Sequence, residues 1–454
     1  MGAMTYSNII EIAPKDVHQV ISRHLLADAF DFVFDLEKSR GAWIHDSKSG
    51  RNLLDFMTFI ASSPIGYNHP KTNDPEFKAR LLKVAQVKPS LSDVYTVEYA
   101  EFLETFARVA MPSYLPHAFF IEGGTLAVEN TLKVAMDYKV RQNWRQGVDR
   151  SRERGHQIVH FKEAFHGRSG YCLSLTNTDP AKTDLFPKFP WPRLDNPKMH
   201  FPETPESTRD VAAREQRSLE QLRKAFEDAG DDIAGIIIEP IQGEGGDNHF
   251  RPEFIQALKA MADSTNTFFI VDEVQTGVAL TGKFWAHEHY GVEPDALAFG
   301  KKTQTCGCLV GAKVDGEPDN VFKTKSRINS TWGGNLTDMV RFQRFLEIIE
   351  EDRLIQNAAT SGEYLLAGLR RLEAEYPDHV RNCRGRGLMI AFDTDAGARK
   401  ALLAKCFDLG MLALPSGTRS VRFRPPLTLT RAEADTGLDI LRRALQSLLG
   451  GSVQ

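Results

Sequence analysis

Long apolar runs are missing from this sequence: none approaches the ~20 consecutive residues that a membrane-spanning helix needs. No membrane partner is expected. The opening MGAMTYSNIIEIAPKDVHQV lacks a basic region followed by an apolar core, and Tyr6 stands where a myristoylation signal wants Ser or Thr. Secretion and lipidation are therefore not expected. Cysteine is scarce, and the five present (Cys172, Cys306, Cys308, Cys383, Cys406) form an odd, scattered set. Such a set suits a reducing cytoplasm better than a disulfide framework. Cys306 and Cys308 have no second Cys or His pair at ligand spacing, so no metal site is expected and all five read as packing residues. Charge of one sign is not in excess either. With 56 basic and 60 acidic residues, a net charge of −4 and a pI near 6.4, the chain offers no basic field for nucleic acid. A small-molecule ligand is the better expectation. Internal repeats and low-complexity tracts are also absent.

At 454 residues, 42% of them hydrophobic, the chain can bury more than one core. Short β-rich runs alternate with helical stretches, which gives an α/β fold around a mostly parallel sheet covered on both faces. The expected strands are HAFFIEGG, HQIVHF, AGIIIEP, TFFIVDE, ALAFGKK and CLVGAKV. Just after Gly124, the spacing of Val128, Leu132, Ala135 and Tyr138 predicts an amphipathic helix. A second helical tract, LTDMVRFQRFLEIIEEDRLIQNAATSGEYLLAGLRRLEAEYP, is too long for one core helix and is expected to bend. It leads into VRNCRGRGLMIAF and SVRFRPPLTLT, two strand-like runs of a smaller α+β lobe. The expected division is residues 1–85 as an N-terminal segment belonging to the small domain, 86–335 as the large domain and 336–454 as the C-terminal small domain. TNTDPAKTDLFPKFPWPRLDNP and FPETPESTRDVAAREQ interrupt the sheet pattern and read as long surface or lid loops.

Open parallel sheets bind ligands beyond the carboxyl ends of their strands, so the chemistry is expected where these runs stop. Five unusual groups lie there: EGGT, FHGR, EPIQGEGG, DEVQ and FGKK. Each has an ordinary reading. Gly-Gly-Thr makes and caps a turn, lysines and acids at strand ends are usually solvated, and a lone histidine is more often structural than catalytic. GEGG lacks the spacing of a dinucleotide fingerprint. Their coincidence argues otherwise. Asp272 closes an apolar strand, where an unpaired carboxylate would be costly, so a cationic partner is expected. The helix start at Gly124 and Thr125 suits a phosphate, Lys301 or Lys302 suits an aldehyde, and Phe165 offers an aromatic face. Pyridoxal 5'-phosphate carries a phosphate, a ring cation, an aromatic face and an aldehyde.

From GRNLLDFMTFIASSPIGYNHP to VRFRPPLTLT the chain resembles the ω-aminotransferases, class-III pyridoxal-phosphate enzymes of fold type I. The resemblance implies a large domain with a mostly parallel sheet that binds the cofactor, plus a smaller α+β domain. The family's DEVQTG and Schiff-base lysine lie as far apart as Asp272 and Lys301, which selects Lys301 over Lys302. By the same resemblance Phe165, in a loop shared with His166, stacks on the ring and Gln275 touches its phenolic oxygen. Thr331 in NSTWGGN would reach the phosphate of the neighbouring subunit, implying a homodimer with its sites at the interface. Asn329 of the same stretch, Arg168 and Arg422 are the expected substrate contacts, the arginines because they pair bidentately with carboxylates. Glu244 would mask Arg422 while a substrate with one carboxylate is bound. VENTLKVAMDYK, TDLFPKFPWPR and SRINSTWGGN look most like the lysine 6-aminotransferases of the family. The implied reaction moves the ε-amino group of L-lysine to 2-oxoglutarate, giving 2-aminoadipate 6-semialdehyde and L-glutamate. Ornithine or 4-aminobutyrate as donor is the nearest alternative, and a non-catalytic cofactor-binding protein a more distant one.

Overall fold

The computed structural model describes residues 10–87 and 92–450. The N-terminal segment contributes a short antiparallel pair, β1 (Trp43–His45) and β2 (Asn52–Asp55). Seven strands then build the central sheet: β3 (His117–Ile121), β4 (Gln157–Phe161), β5 (Arg193–Leu194), β6 (Ile233–Ile238), β7 (Phe268–Asp272), β8 (Ala296–Phe299) and β9 (Cys306–Val310). Their spatial order is β3-β9-β8-β7-β6-β4-β5. From β8 to β5 the neighbours are parallel, whereas β9 runs against both β3 and β8. All six apolar runs form strands. The two-residue β5 is an addition, and it lies inside the Pro-rich stretch read as a loop.

Period-two alternation sorts the strand residues between two cores. Phe269, Val271, Leu297 and Phe299 join Phe254, Ile255 and Leu258 of the helix Pro252–Ser264. Phe268, Ile270, Ala296 and Ala298 point the other way, onto Val128, Leu132, Ala135 and Tyr138 of the helix Gly124–Arg145. With both faces covered, the strands read as unbroken apolar runs. The Gly124–Arg145 helix departs from the amphipathic expectation, because it is buried over most of its circumference. Two of its buried charged groups have partners in place: Asp137 accepts from Arg141 and Arg327, and Lys139 donates to the Thr265 carbonyl.

FPETPESTRDVAAREQ is not a loop. It opens the helix Pro205–Ala229, with Thr204 and Ser207 forming a reciprocal capping box and Pro205 in the first turn. The prolines read as interruptions mark a start. The second long helical tract does bend: it divides into Leu336–Glu351 and Leu354–Glu375 at Arg353, whose φ of 52° is left-handed.

The C-terminal part adds β10 (Arg381–Arg386), β11 (Met389–Asp393), β12 (Met411–Leu412), β13 (Leu414–Ser416) and β14 (Ser420–Phe423). Four of them form an antiparallel sheet, β10-β11-β14-β13, while β12 pairs in parallel with β2. The N-terminal segment is thereby tied to the C-terminal region. Among the described residues no helix is long and apolar enough to cross a membrane, and no group of three or more His, Cys, Asp or Glu could hold a metal. The five cysteines are free and buried.

Candidate active site

The carboxyl ends of β4, β6, β7 and β8 converge on a cavity of about 190 Å³. At its floor lies Asp272, the last residue of β7. Its Oδ2 is 2.8 Å from His166 Nδ1, in the loop after β4, and its Oδ1 accepts from the Val274 N–H at 3.0 Å. The protein itself therefore gives the buried carboxylate a first partner. Glu273 faces away, accepting from the His287 N–H and Thr276 and lying 3.0 Å from the His287 ring nitrogen. The two acids of DEVQ thus have separate tasks, one toward the cavity and one holding the following loop.

Gly124 and Thr125 open the helix on one side of the cavity. Thr125 Oγ1 accepts from the Arg168 N–H at 3.2 Å, locking the helix start to the FHGR loop. Gly167 has φ of +118°, and a Cβ there would lie 2.0 Å from Thr125 Oγ1. Only glycine allows this approach. Phe165, His166, Gln275 and Lys301 complete the lining.

The structure separates the adjacent lysines. Lys301, at φ 56°, reaches the cavity; burial pushes its amine below the ordinary lysine range and Arg422 adds to this, while Asp272 and Glu244 oppose it. Lys302 is fully buried on the other side, donating to the Gln275 carbonyl at 2.7 Å and the Ala61 carbonyl at 3.4 Å.

Glu244 and Arg422 pair beside the cavity, with Arg422 Nη2 donating to Glu244 Oε2 at 2.8 Å. Burial alone would raise the Glu244 carboxyl, but Arg422 and Lys182 outweigh it and hold it below the ordinary range. Lys182 was not foreseen; it donates to the second oxygen, Oε1, at 2.5 Å. The glycines around Glu244 serve close packing rather than freedom: a Cβ on Gly243 would meet Gln275 at 2.5 Å, and one on Gly245 the Glu163 carbonyl at 2.0 Å.

Glu239, at the end of β6, also escaped the sequence reading, although IIIEP carries the same signal as FFIVDE. Fully buried, it accepts from the Phe165 N–H at 2.9 Å and the Gly243 N–H at 3.0 Å, joining the FHGR loop to the Glu244 loop. Burial pushes its carboxyl up to about 7, against the opposing pull of His166. Arg168 is exposed. Asn329 bonds Ser92 and Asp93, Thr331 is exposed, and neither lines the cavity of its own chain.

These residues fit pyridoxal phosphate. Among the described residues His166 Nε2 and Gln275 Oε1 are buried without a partner, N–H groups open a helix toward the cavity, and an amine and a carboxylate both line it.

Comparison with known proteins agrees. A family model for class-III aminotransferases matches residues 27–445. L-lysine-epsilon aminotransferase of Mycobacterium tuberculosis H37Rv is 51% identical over 434 residues, 95% of this chain and 96% of that protein. The enzyme of the same name from Streptomyces clavuligerus is 45% identical over 446 residues, 98% and 97% of the two chains. A solved structure of lysine aminotransferase from M. tuberculosis matches with a TM-score of 0.94 at 49% identity, covering 96% of this chain and 100% of that one. By sequence, fold and the constellation at its strand ends, the chain belongs to the class-III aminotransferases, which work with pyridoxal phosphate.

Proposed function

We propose that the protein transfers the ε-amino group of L-lysine to 2-oxoglutarate, forming 2-aminoadipate 6-semialdehyde and L-glutamate. The observation that carries this reading is the Glu244–Arg422 pair at the edge of the cavity. Lysine brings one carboxylate and 2-oxoglutarate two, so a site serving both in turn needs one cation always available and a second that can be masked. Arg168 is exposed and suits the first role; Arg422 under Glu244 suits the second. The names of the 45–51% identical relatives support lysine as donor.

Pyridoxal phosphate, when bound, supplies an electron-withdrawing ring that stabilises negative charge on the carbon bearing the transferred nitrogen. Asp272, oriented by His166, would keep the ring nitrogen protonated. The helix start at Gly124 and Thr125 would take the phosphate, Phe165 the ring face and Gln275 the phenolic oxygen. Lys301 Nζ would hold the cofactor and, when displaced, take the proton from the substrate carbon that carries the departing nitrogen. Its lowered proton affinity favours the neutral amine that a base requires.

The same reading divides the chain into residues 1–85, 86–335 and 336–454, and makes the working unit a homodimer in which Asn329 and Thr331 serve the neighbouring site. Free buried cysteines fit the reducing cytoplasm. A panel of L-lysine, L-ornithine and 4-aminobutyrate with 2-oxoglutarate, read by glutamate formation, tests the function. Lysine should give the highest kcat/KM. A higher value for another donor transfers the assignment to that amine, and no turnover with any amine removes it.

A further inference from the structure

Lys182 lies on the single helical turn Pro180–Thr183, within the Pro-rich stretch between β4 and β5. Its ammonium donates to Glu244 Oε1 at 2.5 Å while Arg422 donates to Oε2 at 2.8 Å. The glutamate is therefore shared between cations from two different elements, Lys182 on that turn and Arg422 on β14 of the antiparallel sheet. Lys182 and Glu244 retain about a fifth of their side-chain exposure, whereas Arg422 is buried. Lys182 Nζ also stands 5.7 Å from the centre of the Phe165 ring. Among the described residues Glu244 is the acid paired with Lys182.

This sharing matters for a masking carboxylate. If Arg422 were its one partner, freeing Arg422 would leave a partly buried carboxylate unpaired, which is unfavourable. With a second cation on its other oxygen, Glu244 can turn from Arg422 and keep an ion pair throughout. We propose that Lys182 is the positioning residue on which Glu244 rests while Arg422 receives the second carboxylate of the dicarboxylate substrate. The proposal rests on the reading of Glu244 as the mask of Arg422. Lysine, for which Glu244 stays on Arg422, has no need of Lys182.

The test is binding, separate from turnover. Glutarate and pentanoate, unreactive acids with two carboxylates and one, are titrated calorimetrically into the holoenzyme. The chains compared are wild type, Lys182→Met, Lys182→Arg, Glu244→Ala and the Lys182→Met/Glu244→Ala double variant. Methionine keeps the apolar stem against Phe165 without the charge. Lys182→Met should weaken glutarate by about tenfold, and pentanoate by less than about twofold. Lys182→Arg should restore glutarate. In the Glu244→Ala background, where no mask remains, Lys182→Met should no longer discriminate between the acids. Equal weakening of both acids that persists without Glu244 would reduce Lys182 to general attraction of anions and overturn the proposal. If Glu244→Ala strengthens glutarate over pentanoate but Lys182→Met leaves their ratio unchanged, the mask stands and the role of Lys182 falls. If Glu244→Ala leaves the ratio unchanged, the mask falls and the proposal with it.

Discussion

Single residues explain why two adjacent lysines need different neighbours. Lys301 lines the cavity together with Asp272, while Lys302 donates to two backbone carbonyls, so substitution should separate chemistry from stability. Lys301→Ala should abolish turnover and the visible absorbance of the bound cofactor with little change in the melting temperature of the cofactor-free protein. Lys302→Ala should cost about 1–3 kcal/mol of stability by stranding two buried carbonyls, yet keep the absorbance; borohydride reduction and peptide mapping that placed the cofactor on residue 302 would reverse the assignment. Glu239 gives a pH signature. Its folded-state carboxyl is raised to about 7, above the ~4.3 of an unfolded glutamate. Between these values the folded chain holds a proton that the unfolded chain has released, so this group's contribution to stability declines as pH rises through the window. Glu239→Gln does not titrate. The melting temperature of the cofactor-free variant, relative to wild type, should climb from about pH 5 to about pH 8; a constant offset would mean that Glu239 stays ionised throughout. Asp272 and Glu244 were legible as candidates because each is an acid in an apolar or glycine-rich setting, and Lys301 was chosen over Lys302 by the resemblance. Lys182 was not, because a lysine among loop prolines looks solvated until the fold sets it against an acid more than sixty positions away.

At the scale of elements, strands were easier to read than helix starts. A parallel strand covered on both faces must be apolar throughout, and the six runs showed it. The helix Pro205–Ala229 is mostly polar and opens with proline, which masks both its capping box and the helical spacing of its buried Val211, Ser218, Leu219 and Leu222. The contact between the FHGR loop and the helix at Gly124 lies beyond sequence reading altogether, since it joins the carboxyl ends of two strands. It can be tested. Gly167→Ala would place a methyl 2.0 Å from Thr125 Oγ1 at a φ of +118°, which alanine tolerates poorly. The loop must shift, taking Phe165 and His166 with it. Cofactor affinity should fall by at least about tenfold, equivalent to about 1.4 kcal/mol. Unchanged cofactor affinity would mean that the loop absorbs the methyl without displacing Phe165 and His166.

At the scale of the molecule, several large apolar side chains stand exposed to water. Tyr95 is 78% exposed, Val97 71%, Trp332 49% and Leu126 39%. Two of them lie by the site: the Glu122 N–H, just before the helix at Gly124, donates to the Trp332 carbonyl, and Leu126 follows the helix start that lines the cavity. Exposed apolar groups gathered in this way mark an interaction surface. A second copy of the chain is the occupant that the resemblance implies, and it would also explain why Thr331 lies outside its own cavity. Trp332→Glu puts a charge into that surface without touching the central core. Sedimentation should show the wild type as a dimer and the variant shifted to monomer, with far-ultraviolet dichroism unchanged. If Thr331 of the partner subunit helps hold the phosphate, the monomer should also release cofactor more readily, at least tenfold by dissociation constant, about 1.4 kcal/mol. A variant that stays dimeric would remove Trp332 from the interface. One that becomes monomeric yet keeps full cofactor affinity would leave the dimer standing but make each site complete within one chain.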